Sequence, residues 1–157
     1  MKKLFFSLLA VASFAASAPA AFAGTEKTDA AATDGKSDAK AIKAAVYDYF
    51  HGQGQGSAER LNRAFVAEHA SMVGVVKNDA GEPAVRSWKD MGEVLANWSQ
   101  NPTPDAPDRD GEILDMHVQD GRIATVMFRS RDRFYDALTL AKVDGEWRII
   151  AKAFVLQ

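Results

Sequence analysis

The chain of 157 residues contains no cysteine. A disulfide, a thiol nucleophile and a cysteine-linked lipid anchor are therefore excluded. No apolar run reaches the roughly 20 residues that a membrane-spanning helix needs. The serine hydrolase motif G-x-S-x-G, the zinc peptidase motif H-E-x-x-H and a phosphate-binding glycine loop are also missing. These absences exclude several catalytic classes without indicating what the protein does.

The first 23 residues have the three parts of a secretory signal peptide. Lys2 and Lys3 form a basic n-region, residues 4–14 are apolar, and residues 21–23 read Ala-Phe-Ala. We expect cleavage before Gly24 and a periplasmic or secreted product that has no membrane segment. The chain has 19 Lys and Arg against 21 Asp and Glu, so loss of the two signal lysines leaves a net charge of −4. A mildly acidic chain argues against nucleic acid or anionic lipid as a partner.

The mature chain divides into a leader and one domain. Residues 24–38 are mainly Ala, Thr, Asp, Lys, Ser and Gly and lack large apolar side chains, a composition typical of a disordered leader. Residues 39–157 have the length of one ordinary domain. The sequence therefore predicts a signal peptide over 1–23, a disordered leader over 24–38 and a folded domain over 39–157.

Apolar periodicity predicts three helices in the first part of the domain. The first spans residues 39–51 with Asp38 as its N-cap, and Ser57 caps the second. The third starts at a capping box beginning with Ser87 and carries Trp88, Met91, Leu95 and Trp98 on one face. Alternation predicts two short strands, over 71–76 and 84–86, and then four antiparallel strands over 112–118, 123–131, 134–143 and 147–156.

Two stretches carry a family resemblance. Helix 1 ends in Tyr49-Phe50-x-Gly52, and the C-terminal block runs from Asp136-Ala137-Leu138-Thr139-Leu140 through Lys142-Val143-Asp144-Gly145 to Trp147-Arg148-Ile149 and Lys152. This pattern resembles the branch named for lumazine binding in the nuclear transport factor 2-like (NTF2-like) superfamily, whose members are also called SnoaL-like or cystatin-like. The resemblance implies a cone-shaped α+β fold, with three helices packed on a curved, mainly antiparallel sheet, and a small organic ligand.

Asp136 is the main candidate for a functional residue. Asp144-Gly145 between alternating apolar residues is a strong two-residue hairpin signal, which places Asp136 opposite Ala153 on an apolar sheet face. A short even turn at residues 131–132 would add Met127 and Arg129 to that face. Asp136 then either forms an ion pair with Arg129 or serves a ligand pocket as polar anchor or proton acceptor.

Aromatic residues on the helix stripes could form the wall of such a pocket. Tyr49 can direct its hydroxyl inward as a donor, while Trp88, Met91 and Trp98 can pack against a planar ring system. Aromatic and Met side chains at helical spacing are more often ordinary core residues. His51, His69 and His117 are scattered along the chain, so we expect neither a metal site nor a cofactor.

Three functions follow from these features. The first is a non-catalytic, exported protein that binds a small, planar organic molecule. The second is an isomerase-like or dehydratase-like enzyme that uses Asp136 as general base. The third is a dimeric interaction module. The outer sheet face is predicted to carry Tyr135, Thr139, Ile150, Phe154, Arg148 and Lys152, and this mixed surface favours a homodimer through the sheets.

Overall fold

The structure is a computed structural model that describes residues 27–102, 110–131 and 133–157, with side chains from residue 35 onward. Three helices and six strands follow one another along the chain: α1 Lys27–Gln55, α2 Ala58–Ala64, β1 Ser71–Lys77, β2 Pro83–Trp88, α3 Met91–Gln100, β3 Gly111–Gln119, β4 Ile123–Ser130, β5 Phe134–Val143 and β6 Glu146–Leu156. The predicted signal peptide lies outside the described residues. Within these residues, no helix is both long and apolar enough to cross a membrane.

The strands form one six-stranded sheet in the order β2-β1-β6-β5-β4-β3. Strands β1 and β6 run parallel, and every other neighbouring pair is antiparallel. The core includes fully buried side chains of α1, α2 and the inner sheet face, such as Val46, Leu61, Val126, Leu138 and Ile149. The predicted α+β architecture, with three helices packed on a mainly antiparallel sheet, is therefore confirmed.

Helix α1 is longer than the sequence predicted. It begins at Lys27 rather than Ala39, so residues 27–38 continue the helix towards its N-terminus. Alanine-rich sequence favours a helix even where no large apolar side chain can pack. Asp38 lies inside this helix instead of capping it, and its carboxylate accepts hydrogen bonds from the Trp147 indole at 2.9 Å and from Lys142 at 2.7 Å.

Helix α3 begins later than predicted. Its N-cap is Asp90, whose carboxylate accepts a hydrogen bond from the backbone N–H of Glu93 at 3.0 Å. The predicted capping box at Ser87 is therefore wrong, and Trp88 is the last residue of strand β2. A cap at Asp90 leaves Ser87 and Trp88 free to pair with Val73 and Met72 in the β1–β2 ladder.

The hairpin between β5 and β6 turns at Asp144-Gly145 as predicted, with both residues at positive φ. Lys142 pairs with Trp147 and Leu140 with Ile149, but Thr139 then pairs with Ala151, so that Ile150 is a bulge residue. Beyond this bulge the predicted register is wrong by one residue. Asp136 pairs with Phe154 rather than with Ala153, and Lys152 and Phe154 move from the outer face to the inner face.

The connection between β4 and β5 is also one residue longer than the sequence predicted. Ser130 pairs with Phe134, so three residues separate the paired positions instead of the predicted two. Phe128 consequently pairs with Asp136 and is fully buried, whereas Met127 lies on the outer face and is 40% exposed. Because side chains alternate along a strand, this one-residue difference also turns Arg129 to the outer face.

Candidate functional site

A cavity of about 630 Å³ lies between α1, α3 and the inner face of the sheet. Aromatic side chains from five different elements form much of its wall: Tyr49, Trp88, Trp98, Phe134 and Phe154. Gly74 of β1 pairs with Phe154 of the neighbouring parallel strand β6, and its lack of a side chain leaves room for the Phe154 ring. This volume is within the usual range of small-molecule sites, roughly 300–1,000 Å³.

Lys152 provides a buried positive charge at the floor of this cavity. The side chain is only 4% exposed, and its ammonium forms an ion pair with the Asp136 carboxylate. Asp136 is fully buried and lies behind the floor rather than in the lining. The other Asp136 oxygen accepts a hydrogen bond from the Tyr49 hydroxyl at 2.9 Å. A charged pair and one phenol are thus placed together under an aromatic wall.

Burial opposes ionisation of both members of this pair. Desolvation raises the pKa of Asp136, and the nearby Lys152 ammonium and Tyr49 hydroxyl only partly offset that effect. Desolvation likewise lowers the pKa of Lys152, and Asp136 works against the decrease. Each residue therefore depends on the other to remain charged at the base of the cavity.

Three aromatic rings surround the Lys152 ammonium. The distances from Nζ to the ring centroids are 4.7 Å for Phe154, 5.0 Å for Phe134 and 5.1 Å for Tyr49. Such contacts stabilise a cation through the negative faces of the rings. They do not replace hydrogen-bond acceptors, and among the described residues only Asp136 accepts a hydrogen bond from Lys152. An ammonium has three N–H donors, so Lys152 can donate further hydrogen bonds.

The structure brings together some of the predicted site residues and separates the others. Tyr49, Trp88 and Trp98 line the cavity, and Asp136 supports its floor. Met91 is buried in the core. Met127 and Arg129 are on the opposite sheet face, where Arg129 pairs with Glu112. The predicted Asp136–Arg129 ion pair is therefore wrong, and Lys152 takes the place of Arg129.

Sequence reasoning missed Lys152 and Phe154 because both were assigned to the outer face. The signal that could have found Lys152 is the need of a buried acid for a cationic partner on a neighbouring strand. No group of three or more His, Cys, Asp and Glu side chains able to hold a metal ion occurs in the described part of the chain. The cavity offers a ligand its aromatic wall, the Lys152 ammonium and polar side chains such as Arg86 and Arg133.

Comparison with known proteins places this fold in a family. A family model described as "Putative lumazine-binding" matches residues 37–155. The chain belongs to this family. The match includes all nine elements except the first turns of α1 and the last residue of β6. Apart from Leu156, the residues that line the cavity all lie within the match, as do both members of the Lys152–Asp136 pair.

Solved structures show the same architecture. An NTF2-like protein of unknown function from Silicibacter pomeroyi is 25% identical, with a TM-score of 0.63 over 78% of this chain and 98% of that chain. A second from Shewanella baltica is 20% identical, with a TM-score of 0.63 over 78% and 95%. An NTF2-like protein with a cystatin-like fold from Novosphingobium aromaticivorans is 18% identical, with a TM-score of 0.60 over 85% and 91%. None of the curated proteins matches the chain significantly. The predicted NTF2-like fold is confirmed.

Proposed function

We propose that this chain is an exported protein that binds a small, planar organic ligand in the cavity above Lys152. The observation that carries the proposal is a buried ammonium that lines a cavity and still has N–H donors to offer. An oxygen or ring nitrogen of a ligand in the cavity would accept a hydrogen bond from this ammonium. The family description, with its reference to lumazine, supports a ligand of this kind.

The aromatic wall supports a flat ligand in particular. The indoles of Trp88 and Trp98 and the ring of Phe154 offer large apolar surfaces around one space. Polar side chains also belong to the lining, among them Arg86, Asn97 and Arg133, so hydrogen bonds can orient a ligand against the aromatic surface. Lys152 would supply such an orienting bond.

Binding has better support than catalysis by Asp136. A general base must reach the proton that it removes, directly or through one water molecule. Asp136 is fully buried, and each of its oxygens already accepts a hydrogen bond, from Lys152 and from Tyr49. In the enzyme alternative Asp136 would act on the substrate itself, whereas here it holds the ammonium and the phenol in place.

The proposal includes a homodimer through the outer sheet face, which is also the basis of the alternative function as an interaction module. Five aliphatic side chains on or beside this face are between 36% and 75% exposed: Val73, Val75, Val85, Met127 and Val155. An apolar patch of this kind favours contact with another protein surface. Sedimentation analysis should report a dimer at tens of micromolar, and a monomer at that concentration would contradict this part of the proposal.

Export is proposed on the basis of the signal-like residues 1–23. Expression of the full chain in a bacterium with an outer membrane should deliver the protein to the periplasmic fraction, with Gly24 as its first residue by intact mass. A protein that stays cytoplasmic at full length would contradict it.

Ligand binding can be tested with a small-molecule extract of the native cells. The mature protein is incubated with the extract, separated by gel filtration and denatured, and the released compounds are identified by mass spectrometry. The matched control is Asp136→Asn/Lys152→Met, which removes the ammonium and its counter-charge but keeps an acceptor for Tyr49. The proposal predicts a compound enriched by the wild-type protein and lost from the variant. No enrichment, or equal enrichment by both proteins, would contradict it.

A further inference from the structure

The exposed rim of the cavity carries two guanidinium groups that lie on aromatic rings. The Arg86 guanidinium carbon is 5.0 Å from the centroid of the Trp88 ring, and that of Arg133 is 5.7 Å from the centroid of Phe134. Both arginines belong to the cavity lining and are exposed. Within the described residues, neither forms an ion pair with a carboxylate.

Among the described residues that line the cavity at this rim, three are cations, Arg86, Lys89 and Arg133, and two are acids, Asp90 and Glu93. The Asp90 carboxylate is engaged at the N-terminus of α3, where it accepts the hydrogen bond from Glu93. At the floor, Asp136 balances the charge of Lys152. Within the described residues, the lining cations that have no carboxylate partner are thus at the rim.

The two arginines approach the cavity from different strands. Arg86 is in β2 and Arg133 immediately precedes β5, which is three strands away in the order β2-β1-β6-β5. Three strand spacings amount to about 14 Å, and two extended arginine side chains span much of that distance. A guanidinium group offers a planar fork of donors that matches a carboxylate, and stacking on a ring limits the freedom it would lose on binding.

We propose that the ligand is an aromatic carboxylate, with its ring between Trp88, Trp98 and Phe154 and its carboxylate at the rim beside Arg86 and Arg133. This inference rests on the proposed function, and it adds the charge and the orientation of the ligand. Lys152 at the floor then donates a hydrogen bond to a polar atom on the opposite edge of the ring.

Two probes of nearly equal shape, one charged and one neutral, distinguish the contribution of the carboxylate to affinity from that of the ring. Isothermal titration calorimetry at low ionic strength would compare 2-naphthoate with its neutral amide, 2-naphthamide, on the mature protein. We expect naphthoate to bind about tenfold more tightly, the order expected for one charge-assisted hydrogen bond. Arg86→Gln and Arg133→Gln should each reduce that preference. The control Arg122→Gln removes an 81% exposed guanidinium in the β3–β4 turn, outside the cavity lining, and should leave the preference unchanged.

The outcomes distinguish this inference from the proposed function. A preference for naphthoate that decreases only in the two rim variants supports the inference. Equal affinity for both probes overturns the inference while supporting a ring-binding cavity. A preference that decreases as much in Arg122→Gln overturns the role of the rim, because net charge alone would explain it. Binding of neither probe at millimolar concentration overturns the inference, whereas the proposed function fails only if the small-molecule extract also yields no enriched compound.

Discussion

The Lys152 ammonium lies against the Asp136 carboxylate on the inner face of the sheet, although the two residues are not direct cross-strand partners. Asp136 pairs with Phe154 and Lys152 with Leu138, so the ion pair is diagonal across β5 and β6. This diagonal places one charge of the pair in the cavity lining and the other behind it. The arrangement presents an ammonium to the cavity while its counter-ion remains out of reach of a ligand.

The first prediction concerns the coupling within this pair. Asp136→Leu or Lys152→Met should each lower the free energy of unfolding by about 3–5 kcal/mol, because each leaves an uncompensated charge in the interior. The double variant should be more stable than either single variant, because two apolar side chains of similar volume replace the pair. Urea unfolding of the four proteins gives the coupling energy. Additive losses would show that the two charges do not depend on each other.

The second prediction isolates the Tyr49 hydroxyl. Tyr49→Phe keeps the ring but removes the donor to Asp136, and it should cost about 1–3 kcal/mol of stability. Tyr47→Phe is the matched control, since the Tyr47 hydroxyl makes a longer, 3.4 Å hydrogen bond to the Gly111 carbonyl. Thermal and urea unfolding should show a clearly larger loss for Tyr49→Phe. Equal losses would indicate that the buried hydrogen bond contributes little.

The third prediction concerns Asp38, whose carboxylate links α1 to the β5–β6 hairpin. Hydrogen bonds from Lys142, and then from Trp147, lower the pKa of Asp38. Asp38→Ala should therefore cost about 1–3 kcal/mol at neutral pH, where the carboxylate is ionised. Asp79→Ala, at an exposed position between β1 and β2 without a positive φ, should cost much less.

The pH dependence of this loss follows from the sign of the shift. A carboxyl group with a lowered pKa in the folded state stabilises the protein above its unfolded pKa, about 3.9, and that contribution disappears as the pH falls through the lower folded value. The difference between wild type and Asp38→Ala should thus be constant near neutrality and shrink below about pH 4. A difference that stays constant down to about pH 2 would contradict an ionised Asp38 in the folded protein.

The fourth prediction uses the missing side chain at Gly74. A Cβ at this position would be 2.3 Å from a carbon of the Phe154 ring, so Gly74→Ala must displace that ring from the cavity wall. We expect a loss of about 1–3 kcal/mol and weaker binding of 2-naphthoate. Gly35→Ala is the control, because a Cβ there meets no atom within 4 Å, and alanine should stabilise helix α1 by about 1 kcal/mol. Unchanged stability and binding in Gly74→Ala would contradict the described position of Phe154.

The sequence predicts the structure correctly where neighbouring residues determine the conformation, as in the β5–β6 turn. The Asp144-Gly145 turn has both residues at positive φ, which explains why the first cross-strand pairs of this hairpin were predictable. The burial of Asp136 and the inward position of Tyr49 follow from alternation and from helical spacing, and both are observed. The NTF2-like fold could be predicted from the C-terminal motif.

Two small backbone irregularities account for most of the errors at the site. Ile149, Ile150 and Ala151 are consecutive apolar or small residues, so the binary pattern does not reveal that Ile150 is a bulge. The Val66 N–H donates to the Ile149 carbonyl at 3.1 Å, a tertiary contact at this bulge that the sequence does not show. The three-residue β4–β5 connection moved Met127 and Arg129 to the outer face in the same manner. A shift of one residue reverses which face a side chain occupies.

Native mass spectrometry of the mature protein, isolated gently from its native exported fraction, tests the central claim most directly. The same preparation of Asp136→Asn/Lys152→Met serves as the control. We predict a dimer that carries a discrete additional mass in the wild-type protein and a dimer without that mass in the variant. A wild-type spectrum with no bound compound, even after incubation with a small-molecule extract of the native cells, would contradict a ligand-binding cavity above Lys152.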